Sequence, residues 1–185
     1  MMEFEESNLS FKFSDEWQAV QYDQLPEYVN VCRRLQGTKG IDFLTFHNNS
    51  MILFEIKNFR GYGNNSNTRF SNAMEVLTTQ IAQKVKDTVA LIAGIGRTAN
   101  FENPVWDKAF KHLNSKKEII IIAWIEEDIS SPVLKKRKKQ EMNVRTRKLQ
   151  QKLAWLTACI SIDNVKEQHF RFSGFSVTSA PNPLR

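Results

Sequence analysis

The chain has 185 residues, of which 41% are hydrophobic and 25% charged, and its formal net charge at pH 7 is +6. Length and composition predict one globular domain over residues 1–185, and no apolar run reaches the roughly 18 residues of a membrane span. The first residues are acidic and do not have the basic start and apolar core that we would expect of a signal peptide. We therefore expect a cytoplasmic protein without a membrane partner, and its positive charge suits a polyanionic partner, because Lys and Arg contacts with phosphate release counterions.

The N-terminal region is predicted to contain one short strand and one helix. Apolar and polar residues alternate over residues 9–14, which is typical of a strand. Asp23 is the predicted N-cap of a helix that runs to about Leu35, with Pro26 in its first turn and Gly37 after its end. Its apolar residues recur at helical spacing: Tyr28, Val29, Cys32 and Leu35.

Residues 41–56 have the pattern of a β-hairpin. Two runs rich in β-branched and aromatic residues, 41–46 and 51–56, flank the polar segment 47–50, which contains two Asn residues that tolerate positive φ. If the loop closes symmetrically, Asp42 lies opposite Glu55, and the two-residue period of a strand places Lys57 on the same face. The hairpin therefore brings two acids and a lysine together.

This arrangement of charges predicts a cation site. Like charges directly opposed across a ladder destabilise a sheet by about 0.2 to 1 kcal/mol. A hard divalent cation removes that conflict, since it takes carboxylate oxygens as ligands and can lower the pKa of a bound water. Lys57 could then orient the water or steady a phosphate. A structural charge cluster on a solvated strand is the alternative interpretation.

The segment Gly40-Ile41-Asp42, followed after twelve residues by Glu55-Ile56-Lys57, resembles the signature of the PD-(D/E)XK nuclease superfamily. The resemblance implies that Asp42 and Glu55 bind Mg²⁺ or Mn²⁺ and that Lys57 assists the nucleophile. The chain departs from the pattern at Gly40-Ile41, because a Pro often precedes the Asp in that family. The resemblance also implies a homodimer, since many nucleases of this fold cut two strands in that form.

The family often draws a further acid from the helix before the Asp strand. Asp23 and Glu27 are the two residues in this chain that could supply it, and we favour Asp23 as a third catalytic and metal-binding acid. Asp23 could instead serve only as a helix cap, and Glu27 could be a solvated first-turn charge that the helix dipole favours.

The segment after the hairpin is predicted to be an exposed loop followed by a long helix. The Gly- and Asn-rich residues 58–65 form the loop, and Arg60 and Tyr62 are its predicted phosphate and base contacts. Apolar residues at helical spacing predict a helix over residues 68–95. Gln80 and Lys84 on this helix could lie near the active site or on a wet face, and we count Lys84 among the nucleic-acid contacts.

Residues 103–125 are predicted to add a short helix and a buried strand. The short helix has Asn103 as its N-cap and Pro104 as its first residue, and it runs to about Leu113. The apolar run over residues 118–125 is typical of a strand buried on both faces. The resulting order predicts an α/β fold with a restriction-endonuclease-like core over about residues 22–126, built on a central mixed sheet flanked by helices.

The remaining residues, 132–180, are predicted to form a basic helix and two strands that extend the sheet. The helix spans about residues 132–156, and the strands span 158–163 and 170–178. All four Trp residues are predicted to be buried in the core. The basic face of the helix is a predicted contact with the nucleic-acid backbone: Lys135, Lys136, Arg137, Lys138, Lys139, Arg145 and Arg147.

These features predict a metal-dependent nuclease that hydrolyses phosphodiester bonds, with DNA as the expected partner. The alternative is a catalytically silent nucleic-acid-binding subunit of a defence or repair system, which would bind DNA without cleaving it. A metal enzyme that acts on a small phosphorylated substrate is a third hypothesis. A partner subunit is compatible with each of them.

Overall fold

The computed structural model describes residues 1–60, 70–98, 103–128, 132–170 and 172–179. Within these ranges the chain forms eight strands and four helices. The strands are β1 (Met2–Glu6), β2 (Leu9–Phe13), β3 (Trp17–Gln21), β4 (Phe43–His47), β5 (Ser50–Asn58), β6 (Ile119–Glu126), β7 (Ile160–Asp163) and β8 (Phe175–Ser179). The helices are α1 (Pro26–Arg34), α2 (Phe70–Gly96), α3 (Pro104–Leu113) and α4 (Pro132–Leu153).

The strands form two sheets. The central sheet has the order β3-β4-β5-β6-β7, in which β3, β4 and β5 are antiparallel neighbours and β5, β6 and β7 are parallel. The second sheet, β1-β2-β8, is antiparallel. The prediction of an α/β fold with a central mixed sheet flanked by helices is confirmed.

The central sheet is buried on both faces. One face packs against the helices, where Leu53 and Ile121 meet Ile81 of α2 and Leu149 of α4. The opposite face packs against the second sheet through aromatic side chains, including Phe43 of β4, whose ring lies 5.2 Å from the ring of Phe11. Because each fully buried Phe or Leu contributes about 1.5 to 3 kcal/mol, these two layers hold the sheet firmly.

The hairpin, the short helix and the buried strand form as predicted. Phe46 pairs with Met51 at the hairpin tip, where Asn48 has a φ of 52°. The side chain of Asn103 caps α3 by accepting a hydrogen bond from the N–H of Val105 at 3.0 Å. Every residue of β6 is buried, as expected for a strand between two layers.

Three structural predictions are wrong. Asp23 is not an N-cap: it lies in a 3-10 turn (Tyr22–Gln24), and α1 begins at Pro26 after Leu25. β8 does not extend the central sheet, because it pairs with β2 in the second sheet. Trp155 is 57% exposed, whereas the other three Trp residues are buried. The strands β1 and β3 were not predicted.

The described helices were also compared with the requirements of a membrane span. None of those in the described ranges has both the length and the apolar character needed to cross a bilayer. The predicted helix starting near residue 68 is described from Phe70 onwards.

Candidate active site

The β4–β5 hairpin places Asp42 and Glu55 next to each other. Phe43 pairs with Phe54, and the N–H of Asp42 donates a hydrogen bond to the carbonyl of Phe54 at 3.0 Å. Continuing this register by one residue sets Asp42 against Glu55, as the sequence predicted. Both acids are buried, since Asp42 is 6% and Glu55 only 1% exposed.

The carboxylate of Asp42 is held by two different groups. Its Oδ2 atom accepts a hydrogen bond from the backbone N–H of Ile56 at 2.6 Å. Its Oδ1 atom lies 3.0 Å from the ammonium group of Lys84. The first contact fixes the orientation of the side chain relative to β5, and the second compensates its charge.

Glu55 lies between two lysines. Its Oε1 atom is 2.7 Å from Lys57 Nζ, and its Oε2 atom is 2.8 Å from Lys84 Nζ. Lys57 is therefore on the same face of β5 as Glu55, as the two-residue period predicted. Lys84 reaches the acids from α2, where it is partly shielded from solvent, and its ammonium group joins the two carboxylates.

Two lysines do not fully compensate the negative charge at Glu55. Burial raises the pKa of Glu55 from its ordinary value of 4.5 to about 7, and the charge of Asp42 adds to the rise, whereas Lys84 and Lys57 oppose it. For Lys84, burial alone would lower the pKa, but the charges of Glu55 and Asp42 outweigh it and raise the pKa above its usual range. The ammonium group of Lys84 therefore stays charged, while Glu55 titrates near neutrality.

Asp23 approaches the same cluster from the 3-10 turn. The N–H of Tyr22 donates a hydrogen bond to the carbonyl of Asp42 at 2.8 Å, which joins the turn to the start of β4. Burial and the charge of Asp42 raise the pKa of Asp23, and Lys84 opposes the rise. Among the described residues, the buried Oδ1 atom of Asp23 has no hydrogen-bond partner. Glu27 also has a buried oxygen without one, on the first turn of α1.

A fourth acid, Glu6, was not predicted from the sequence. It ends β1, and the turn that follows is tight, with φ values of 53° at Ser7 and 60° at Asn8. The side chain of Asn58, next to Lys57 on β5, donates a hydrogen bond to the carbonyl of Ser7 at 2.7 Å. This contact brings the β1–β2 turn to the end of the strand that carries the site.

The pKa of Glu6 is shifted by its burial and by the charges of the cluster. Burial raises the pKa of Glu6, a hydrogen bond from Ser7 opposes the rise, and the charges of Asp42 and Asp23 add to it. No local sequence pattern could have identified Glu6, because its position depends on how the second sheet packs on the first.

Arg60 lies beside this turn, at the end of the described part of the loop. Its Nε atom donates a hydrogen bond to the Asn58 side chain at 3.0 Å, and its guanidinium group reaches the carbonyl of Asn8 at 3.5 Å. Arg60 is therefore held against the β1–β2 turn and the end of β5. Tyr62 lies outside the described residues.

The predicted basic face of α4 divides into distinct groups. Lys139 and Arg147 are exposed, and Lys148 pairs with Glu75 of α2 at 2.6 Å. The prediction that Arg145 lies on the exposed face is wrong. Its side chain is 7% exposed and lies 2.8 Å from Glu127, because the helix turns this position towards the end of β6.

Four predicted nucleic-acid contacts on α4 cannot be placed. The side chains of Lys135, Lys136, Arg137 and Lys138 lie outside the described residues, although their backbone belongs to the helix. The exposed cations that α4 is shown to offer are those nearer its middle.

The donor chemistry of the cluster fits a hard divalent cation. Asp42 and Glu55 offer carboxylate oxygens, and Asp23 adds a buried oxygen without a hydrogen-bond partner. With Glu6, the cluster has four acids and only two lysines, so it carries excess negative charge when all of these groups are ionised. With the side chains as they stand, no set of three or more His, Cys, Asp or Glu residues in the described ranges is arranged to hold a metal. Lys84 instead lies between Asp42 and Glu55.

The site was also compared with known proteins. A scan against family models and searches of curated proteins and solved structures found no match for this chain. The interpretation of the site therefore depends on its own residues and their geometry.

Proposed function

We propose that this protein is a metal-dependent nuclease of the PD-(D/E)XK type that hydrolyses phosphodiester bonds in DNA. The supporting observation is the convergence of Asp42, Glu55 and Lys57 on one face of the hairpin, with Lys57 2.7 Å from Glu55. Burying two acids side by side is unfavourable for folding unless a cation compensates them. A cluster with such a strongly shifted pKa is more typical of a functional site than of a structural one.

The residues of the cluster have separate roles in this proposal. Asp42, Glu55 and Asp23 would hold Mg²⁺ or Mn²⁺, which when bound supplies a water of lowered pKa and stabilises charge on the phosphoryl oxygens. The hydrogen bond from Ile56 keeps Asp42 oriented towards the site. Lys57, which is 29% exposed, would position the attacking water or the scissile phosphate through its ammonium donors.

DNA is the proposed substrate because the chain carries an excess of positive charge. Lys139 and Arg147 on α4 are exposed and available to phosphates, and Arg60 lies beside the β1–β2 turn. Such contacts bind the backbone irrespective of base sequence, and they weaken as salt increases.

The test is cleavage of single-stranded, duplex and branched DNA and RNA, with Mg²⁺, Mn²⁺ or EDTA. Wild type is compared with Asp42→Asn and Lys57→Met. Asp107→Asn and Lys111→Met are matched controls, because this ion pair is exposed on α3 and contains none of the acids of the cluster. We expect EDTA and both site variants to abolish cleavage, while the controls retain it. Cleavage by Asp42→Asn at the wild-type rate would refute the proposed role of the cluster.

The ion pairs of Lys84 favour one alternative, a catalytically silent nucleic-acid-binding subunit. Lys84 compensates both Asp42 and Glu55 without a metal, at 3.0 and 2.8 Å. A silent subunit would bind DNA with a steep salt dependence and show no cleavage with either ion. The cleavage panel and a DNA titration in EDTA therefore separate the two functions.

A further inference from the structure

The ammonium group of Lys84 occupies the space between the two buried carboxylates. Its Nζ atom is 3.0 Å from Asp42 Oδ1 and 2.8 Å from Glu55 Oε2. Lys57, by contrast, pairs with Glu55 and belongs to the same strand, and no ion pair joins it to Asp42 in the described part of the chain. Of these two lysines, Lys84 is therefore the one that bridges the acids and ties α2 to the hairpin.

A metal ion and this ammonium group would compete for the same oxygens. Mg²⁺ binds carboxylate oxygens at about 2.0 to 2.1 Å and demands a nearly complete octahedral shell. An ammonium group in hydrogen-bonding contact with those oxygens occupies the ligand positions and repels the ion.

We propose that Lys84 is an internal counter-ion that holds Asp42 and Glu55 together in the metal-free protein and is displaced when a divalent cation binds. This inference rests on the proposed metal-dependent function and deepens it. It makes Lys84 a residue that sets metal affinity: the protein must break two ion pairs before both acids can serve the metal.

The structure provides the means for this displacement. The buried residues Ile81 and Val85 anchor α2 beside Lys84, so the helix backbone need not move. The long, flexible stem of a lysine lets its head group move alone. The hydrogen bond from Asn58 to the carbonyl of Ser7 holds the turn after Glu6 at the end of β5, and Glu6 interacts electrostatically with Lys84, so Glu6 offers a further carboxylate to a displaced ammonium group.

The test is a calorimetric titration of Mg²⁺ and Mn²⁺ into the metal-free full-length protein. Lys84→Met removes the charge and keeps the stem, and Lys84→Arg keeps a charge. Lys86→Met is the matched control, because Lys86 lies on the same helix, is 56% exposed and pairs with Asp87. We expect Lys84→Met to bind metal about tenfold more tightly than wild type, a size typical of such coupling. Lys86→Met should match wild type, and Lys84→Arg should stay closer to wild type than to Lys84→Met.

Thermal unfolding gives an independent measurement. Lys84→Met should unfold at a lower temperature than wild type without metal, because two buried carboxylates lose a counter-ion, and added Mn²⁺ should raise its midpoint more than that of wild type. If Lys84→Met does not fold, Lys84→Gln tests the same loss of charge while keeping N–H donors. If wild type binds metal and the uncharged variants bind it equally well or more weakly, the proposed role of Lys84 is overturned, but the metal-dependent function is not. Absence of metal binding in wild type and all variants would overturn the metal-dependent function as well.

Discussion

The N–H of Ile56 donates a 2.6 Å hydrogen bond to Asp42 Oδ2, which ties the first acid of the site to the strand residue between Glu55 and Lys57. Because this bond is buried, the geometry of the site and the stability of the hairpin are coupled. Substitutions at Asp42 can separate the loss of this hydrogen bond from the loss of the carboxylate charge, since Asn keeps an acceptor oxygen and Ala does not.

Asp42→Ala should destabilise the protein by about 1 to 3 kcal/mol, because it leaves a buried N–H without a partner. Asp42→Asn should remain closer to wild type in stability yet lose cleavage, because the acceptor is retained and the charge is not. Chemical denaturation and the cleavage assay measure the two effects. Equal stability of both variants would show that the Ile56 bond contributes little.

The raised pKa of Glu55 predicts a pH dependence of stability in the metal-free protein. The folded-state pKa of about 7 lies above the ordinary value of 4.5, so the folded state binds the proton more tightly. The stability that protonated Glu55 contributes to the folded state is fully present below the unfolded-state pKa and is lost as pH rises through the folded-state pKa. Between about pH 5 and 8, the free energy of unfolding of wild type should fall by on the order of 2 kcal/mol because of Glu55.

Glu55→Gln is the variant that tests this dependence, because it cannot ionise. Urea denaturation at several pH values should give a shallower decline in its free energy of unfolding than in that of wild type. The same slope in both proteins would contradict a raised Glu55 pKa.

Glu6→Gln should weaken the binding of divalent cations several-fold, because it removes a negative charge close to Asp42 and Asp23. Glu3→Gln is the matched control: Glu3 lies on the same strand but pairs with Lys12 on the surface. Metal titrations at two salt concentrations measure the difference. Equal affinities of the two variants would remove Glu6 from the site.

Arg145 and Arg147 should behave differently although they are two residues apart. Arg145→Ala breaks a largely buried pair with Glu127 and should cost about 3 kcal/mol in the free energy of unfolding. Arg147→Ala should leave stability within about 0.5 kcal/mol of wild type and reduce DNA affinity and its salt slope. Denaturation and DNA titrations in EDTA check both. Stability loss in Arg147→Ala instead would contradict the described packing of α4.

Local sequence determined the part of this protein in which neighbours in the chain are neighbours in space. The hairpin loop sets the register, so the period of two along a strand was enough to bring Asp42, Glu55 and Lys57 together. The Asn103 cap of α3 and the apolar run of β6 were predictable for the same reason, since capping and periodicity act over a few residues.

Tertiary structure alone decided what depends on distant segments packing together. The Asp23 cap was wrong because Asp23 lies in a 3-10 turn before α1, and a hydrogen bond from the N–H of Tyr22 to the carbonyl of Asp42 joins that turn to the start of β4. Glu6 lies near the site because the second sheet packs on the central one and Asn58 binds the turn after Glu6. β8 pairs with β2, a strand far away in the sequence, and so belongs to that second sheet. The position of Lys84 between the acids, and the burial of Arg145, depend on how α2 and α4 dock on the sheet. Such docking is set by burial of apolar area summed over many residues, which no short pattern in the chain records.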